Sequence, residues 1–396
     1  MDSAFYSNKH GNGGIIMGTI KQNRANFITS AGKLTTTGLA NDIPASNIAT
    51  ASLNNVNAFP PSTGQGVKQV SSDPPSPDAG QVWFNTTSKV LKQYILGDGT
   101  YASGGNMNTA RQRAGSAGAS QTSALIFGGF EAPPNGPPLG QTETYDGSSW
   151  TEGNDMSTTR GNTSGSGITT AAWCGAGRGT PSGPFIQNTE EYDGTSWTSG
   201  GASTTAHAAI RSCSGTQTAG LMTGGFQPPS QVPAEHNNAA EEYDGSSWTA
   251  VTSMPQYQAY NGQAGTQTAT INGGGNAGPS APSVSDNAIS LEYDGTNWTA
   301  GPNINIAPAK FDAYQGAFGS QTDAVFNGGS SATTVSYNGT TATVASDMPG
   351  ARPGTTSSTN SPGGNAVIMS GTPVPSIGGT SIEFTKAVAV QTITTT

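Results

Sequence analysis

Few side chains in this 396-residue sequence are of kinds that do chemistry. His10, His207 and His236 are scattered, without the clustering that zinc or copper ligands need. Cys174 and Cys213 are too few for a disulfide framework and read as two buried small residues. Asp146, Asp193, Asp244 and Asp294 recur at equivalent places, but each stands alone, and a calcium site needs several oxygens together. Glycine-rich runs such as Gly273-Gly274-Gly275 do not open a helix, which argues against a phosphate cradle. The expectation is no catalytic residue, no metal and no cofactor.

The aspartates belong to a motif that organises the chain. Tyr145-Asp146-Gly147-Ser148-Ser149-Trp150 returns as Tyr192 to Trp197, Tyr243 to Trp248 and Tyr293 to Trp298, and the tryptophans lie 47, 51 and 50 residues apart. A period near 50 residues marks a repeat architecture. Asp-Gly between strand-like runs predicts a two-residue hairpin loop. That register sets Tyr145 opposite Ser148 and Glu143 opposite Trp150, with Tyr145 and Trp150 as diagonal neighbours on one face. Tyr145, Trp150, Tyr192, Trp197, Tyr243, Trp248, Tyr293 and Trp298 are therefore read as structural residues of the repeat.

Composition agrees. Charged residues are only 10%, and 56 Gly with 25 Pro would signal disorder if the glycines were not periodic. Thr, Ser, Asn and Gly abound while strong helix formers are scarce, so the chain reads as short strands and turns. A net charge of −9 disfavours a nucleic-acid partner. No apolar run approaches the ~18 residues of a membrane span, so no membrane insertion is expected. Residues 1–30 lack a signal-peptide core, and Met17 offers an alternative internal start.

Taken in order, residues 1–60 are polar and too poor in apolar residues to bury a core, which suggests an attachment arm, partly irregular, that docks on a partner. Residues 61–80 read as a Pro/Ser/Gly linker. From residue 81 to 396 the pattern is all-β. Each repeat divides into a small, Gly-rich strand A, an apolar strand B ending in glycines, a strand C leading to the Tyr and a strand D beginning near the Trp. A Gln-Thr pair marks the A-to-B corner at Gln121-Thr122, Gln217-Thr218, Gln267-Thr268 and Gln321-Thr322. Counting Val82-Trp83-Phe84 gives seven B strands and seven C strands, which predicts a β-propeller of seven four-stranded blades closed by pairing of the chain ends, with six blades as the alternative.

The double-Gly B strand followed by Tyr and then Trp resembles the kelch repeat over residues 81–393, though Tyr and Trp are only five residues apart and some glycine pairs are degraded, as in Gly175-Ala176 and Ser370-Gly371. Some kelch-type propellers are copper oxidases, yet no Tyr/His/Cys set here is placed to bind copper. The sialidase Asp box, D-x-G-x-[ST]-W, is one residue longer than the motif here, which leaves the Asp as a turn former. Pro77 to Lys92 (PDAGQVWFNTTSKVLK) is similar to a segment common in bacteriophage tail-fibre and other virion appendage proteins, as are the weaker Asp42 to Ser46 and the Ala-Ser-Leu-Asn run after it. Together they resemble kelch-like appendage proteins of phages of marine bacteria. That resemblance implies a non-enzymatic virion protein, assembled in the host cytoplasm and exposed on the particle as a homo-oligomer. Residues 1–60 would meet other virion proteins, and the propeller would meet a host-surface glycan or protein. A head decoration or collar protein, and a glycan-cleaving or oxidising propeller enzyme, are the alternatives.

In an up-and-down blade the B–C and D–A connections share one face, and the A–B and C–D turns share the other. The second face has only short, uniform loops. The first has long, dissimilar ones: Phe130 to Gly140, Arg178 to Asn188, Phe226 to Ala240 and Asn276 to Ala288. Binding is expected on that face. The candidates are Phe130, Glu131, Arg178, Phe185, Phe226, His236, Tyr257 and Tyr260, with Arg111, Arg160 and Arg211 from the D–A connections and Lys310 and Arg352 nearby. For these cations a repeat-structural role at the start of strand A is the favoured reading, and for Phe130, Phe185 and Phe226 packing under their own loops is the alternative.

Overall fold

Ala124-Leu125-Ile126-Phe127 and its counterparts are the densest apolar runs of the repeat, and each becomes the second strand of a four-stranded antiparallel sheet. The computed structural model describes residues 67–75, 81–131, 136–208, 210, 213–227, 236–277, 285–286, 289–304, 315–329, 331–361, 363–371, 379–386 and 388–393. The arm 1–60, Arg211, Lys310 and the middle of most long loops lie outside the described residues. The chain divides into two compact units, one of residues 1–96 with 388–396 and one of residues 97–387.

The larger unit holds six blades, each written here in the order A to D. Blade 1 is Gly115–Ser120, Ser123–Phe127, Thr142–Tyr145 and Trp150–Glu152. Blade 2 is Ser164–Ile168, Ala171–Gly175, Glu190–Tyr192 and Trp197–Ser199. Blade 3 is Ser214–Thr216, Ala219–Thr223, Ala240–Tyr243 and Trp248–Val251. Blade 4 is Gly262–Thr266, Ala269–Gly273, Ile289–Tyr293 and Trp298–Asn303. Blade 5 is Gln315–Ser320, Asp323–Gly328, Val335–Tyr337 and Ala342–Val344. Blade 6 takes Thr355–Ser357, Asn365–Ser370 and Thr380–Thr385 from the end of the unit and its outer strand, Thr100–Asn106, from the beginning. The A strands neighbour one another in sequence order, and that of blade 6 lies beside that of blade 1, so the ring closes.

Two expectations are corrected here. The propeller has six blades, not seven: Val82–Asn85 and Val90–Leu96 form a sheet of the other unit with Lys68–Val70 and Val388–Thr392. Lys68–Val70 lies inside the stretch expected to be a linker and pairs in parallel with Val82–Asn85. Asp73 helps hold it there, accepting hydrogen bonds from Trp83 Nε1 (3.1 Å) and Asn85 Nδ2 (2.9 Å) and pairing with Lys92 (2.7 Å).

The second correction is local. Tyr145 pairs directly with Trp150, so the loop is four residues long rather than two. The Asp146 carboxylate causes this, since its Oδ1 accepts the Ser148 and Ser149 amides, both at 2.8 Å, as an Asx-type turn. Those bonds hold the Asp146 carboxyl down to about 2. The same-face expectation stands: the Tyr145 and Trp150 rings stack at 4.9 Å.

Packing between blades explains the rest of the motif. Each Trp indole donates to the preceding blade: Trp150 to Gly105 O (3.0 Å), Trp197 to Thr142 Oγ1 (2.9 Å), Trp248 to Thr189 Oγ1 (2.8 Å) and Trp298 to Thr252 O (2.8 Å). Trp150 and Trp248 are buried, whereas Trp197 and Trp298 are half-buried. The double glycines serve the same joints. Gly225 N donates to Gln258 O of the next blade at 2.7 Å, its φ is +87°, and a Cβ there would sit 2.4 Å from Ala208 O. In two blades the first position of the pair is not glycine: Ala176 and Ser370 occupy it at φ +60° and +57°, in the left-handed region. Cys174 and Cys213 are buried thiols, as expected, and burial raises them to about 11 and about 12.

Truncating Trp248 to Ala is expected to cost about 3–5 kcal/mol, and truncating half-buried Trp298 clearly less. Chemical denaturation of the two variants checks this, and equal losses would show that burial between blades is not what the motif supplies.

Candidate functional site

In blades 1 to 3 the long-loop face is built on a clamp at the root of the B–C loop. Arg111 enters blade 1 and is fully buried; its Nη1 donates to Gln141 O (2.7 Å) and Gly128 O (3.2 Å), the two ends of the B–C loop, while Nη2 meets Glu143 at 2.5 Å. Arg160 repeats this in blade 2, reaching Asn188 O (2.7 Å), Ala176 O (3.4 Å) and Glu190 (2.8 Å). His207 takes the place in blade 3, with Nδ1 2.6 Å from Gly224 O and Nε2 3.0 Å from Glu241. Each glutamate also accepts two backbone amides of the D–A turn: Asn108 and Thr109, Ser157 and Thr158, Thr204 and Thr205. Loop root and turn are thus tied to one buried carboxylate. Burial works to raise Glu190 and Glu241, but the Ser157 hydroxyl and amide with Arg160 in one case, and His207 with Thr204 in the other, hold both below the ordinary carboxylate value.

On this platform several expected residues meet. The Arg178 guanidinium lies 4.3 Å from the centre of the Phe185 ring and 6.0 Å from that of Phe226. Phe226 in turn meets His236 and Tyr260 edge-on, each at 5.0 Å. Blade 2, blade 3 and the strand entering blade 4 therefore contribute to one cluster. Backbone bridges hold it: Arg178 with Gly161 and Phe185, and Phe226 with Ala208 and His236. Arg178, Phe185, Phe226 and Tyr260 are each partly exposed. Tyr260 sits at φ +61°, and Arg113 and Asn162 occupy the equivalent position, two residues after the clamp, at φ +57° and +51°. Non-glycine residues held there store strain of about 1–3 kcal/mol each, a feature that gathers at working surfaces.

Most of the other expected site residues do not join the cluster, and some are not accessible. Arg111 and Arg160 are fully buried in ion pairs, which removes them from the binding candidates and agrees with the repeat-structural role: Glu143 and Glu190, two residues before Tyr145 and Tyr192, draw them inward. Phe130 and His236 are also fully buried, Phe130 lying where a Cβ on Gly161 would be 2.5 Å from its ring. Glu131 is exposed, and its backbone pairs with Arg111. Tyr257 is half-buried, and Tyr260 rather than Tyr257 is the ring that meets Phe226. Arg352 is nearly buried and donates to Thr380 O at 3.2 Å.

The opposite face is closed more tightly. The corner glutamines reach back to the preceding blade, Gln217 Nε2 to Ala172 O (3.0 Å) and Tyr192 O (2.9 Å), with Gln267 and Gln321 bonded likewise. Asn360 crosses the axis, its N donating to Gly118 O (2.9 Å) and its Nδ2 to Gly215 O (2.8 Å) and Gly167 O (3.2 Å). Beside it remains a cavity of about 480 Å³ whose one carboxylate, Asp323, is paired with Lys386 at 2.6 Å. No group of metal-binding side chains occurs among the described residues.

No protein-family model matches the sequence, and no curated protein matches it. Among solved structures the chain is similar to the one titled "Structure of YjhT", at 12% identity and a TM-score of 0.54, over 72% of this chain and 99% of that one. At that identity the likeness bears on the fold alone.

The clamps make two predictions. Arg160→Met leaves Glu190 buried without its cation and should cost about 3–5 kcal/mol, whereas Arg160→Met with Glu190→Leu should recover most of that loss. Because the folded-state values of Glu190 and Glu241 lie below the unfolded one, their contribution is full above about pH 4.3 and disappears as pH falls through the folded values. The melting temperature should therefore drop as the solution is acidified below about pH 4, with a smaller drop in the Met/Leu variant.

Proposed function

We propose that this chain is a non-enzymatic phage virion protein whose propeller presents its long-loop face to a host-surface glycan or protein. Residues 1–60 attach it to other virion proteins, and several copies stand together on the particle. The observation that carries the binding reading is the Arg178–Phe185–Phe226–Tyr260 cluster, assembled across neighbouring blades on the face where the loops differ. Arginine and aromatic side chains are the common anchors of recognition surfaces, giving large contact area at small entropic cost. Binding rather than catalysis is supported by the buried carboxylates Glu143, Glu190 and Glu241, each engaged by amides of its own blade and by Arg111, Arg160 or His207. The virion assignment rests on the similarity of Pro77 to Lys92 to tail-fibre segments.

Particles carrying Arg178→Ala with Phe226→Ala test the reading. They should incorporate the protein normally and adsorb to host cells about tenfold or more weakly. Removing residues 1–60 should abolish incorporation. Normal adsorption by the double variant, together with loss of adsorption on changing the Asp-Gly turns, would place recognition on the opposite face.

A further inference from the structure

The joints between blades share a polar rung that is altered at two places. The motif Tyr hydroxyl donates to a glutamate of the preceding blade: Tyr145 to Glu383 at 2.7 Å, Tyr293 to Glu242 at 2.9 Å, Tyr243 to Glu191 and Tyr337 to Glu292. Between blades 5 and 6 both partners are replaced, with Phe384 at the tyrosine position and Ser336 at the glutamate position. Between blades 1 and 2 only one is. Tyr192 keeps its hydroxyl, while Thr144 stands where the other rungs carry glutamate. The Tyr192 side chain is 2% exposed as a whole, and its hydroxyl, without a hydrogen-bond partner among the described residues, borders open space rather than being sealed in.

At this joint lies an open, surface-facing cavity of about 360 Å³, lined by Thr144, Glu152, Gly153, Asn154, Tyr192, Gly194 and Thr195. Gly153 lets the ring approach: a Cβ there would be 3.2 Å from the Tyr192 hydroxyl. Asn154 Nδ2 donates to Thr195 O at 2.8 Å, which joins the two blades at the cavity wall. An apolar occupant would leave the Tyr192 hydroxyl unpaired. An anion would face the Glu152 carboxylate in a chain of net charge −9. A neutral ring bearing several hydroxyls suits both groups, since one hydroxyl accepts from Tyr192 while another donates to Glu152.

We propose that the groove between blades 1 and 2 is a binding site for a neutral pyranose, distinct from the long-loop face, in which the sugar takes the place that glutamate holds in the other rungs. It does not depend on the virion reading. The test uses the full chain and saturation-transfer NMR with the methyl pyranosides of glucose, galactose and mannose, with sodium acetate as the anionic control. At least one pyranoside should bind, Tyr192→Phe should weaken it roughly fivefold, and Thr144→Glu should abolish it. Thr144→Glu should also raise the melting temperature, because it restores the rung, and this shows that the loss of binding is not unfolding. The proposal is overturned if no pyranoside binds, if binding survives Thr144→Glu in the folded protein, or if only acetate shows a Tyr192-dependent signal. It is also overturned if Arg178→Ala removes the pyranoside signal while Thr144→Glu does not, since the sugar would then sit on the long-loop face.

Discussion

Closure of the ring by the pairing of Thr100–Asn106 with Thr380–Thr385 is the constraint on which the rest of the propeller depends. Each blade is a four-stranded sheet with apolar residues on both faces, so it is stable only between two neighbours. In blade 1, Ala117, Leu125 and Phe127 pack towards Ala172, Cys174 and Tyr192 of blade 2, while Ile126, Tyr145 and Trp150 pack with Val367 and Met369 of blade 6. An open row of such sheets would leave two apolar faces in water, and the hydrogen-bonded outer strand of blade 6 removes both.

Within that ring the polar motif positions act in one direction, from each blade back to the one before it. Trp248 Nε1 reaches Thr189, the Tyr243 hydroxyl reaches Glu191 and Gln217 reaches Ala172 and Tyr192, all in blade 2. The buried Arg–Glu and His–Glu clamps act within a blade and fix the roots of the B–C loops. The frame is therefore held by residues below the long-loop face, so the loops can vary in length and content without loosening the blades. That division of labour is the physical basis for the proposal that recognition falls on Arg178, Phe185, Phe226 and Tyr260.

Much of this was legible from the chain. The period of the Tyr-Asp-Gly motif reads directly as blades, and the joint placement of the B–C and D–A connections follows from up-and-down topology. Blade number was not legible, because strand content says that Val82–Asn85 will be extended but not which sheet it joins; the Asp73 contacts to Trp83, Asn85 and Lys92 decide that. Arg111 and Arg160 enter the binding candidates because an arginine beside a variable loop looks like a surface cation, although a repeat-structural role at the start of strand A is the favoured reading of the sequence. The contrary signal was present in Thr142-Glu143-Thr144-Tyr145 and Thr189-Glu190-Glu191-Tyr192, where a glutamate recurs two residues before each tyrosine. Alternation in a strand puts that glutamate on the face of the Tyr, where burial requires a partner. The next glutamate, one residue before the tyrosine, points the other way and becomes the acceptor of the rung.

Native-state hydrogen exchange across Thr100–Asn106 tests ring closure most directly. If this strand closes the propeller, the amides it donates to Thr380–Thr385 exchange only through global unfolding, with protection equal to that of the B strands and falling in step with them as denaturant is added. Protection at Thr100–Asn106 well below that of the B strands, lost in a separate local opening while blades 1 to 5 stay protected, would contradict a closed six-bladed ring.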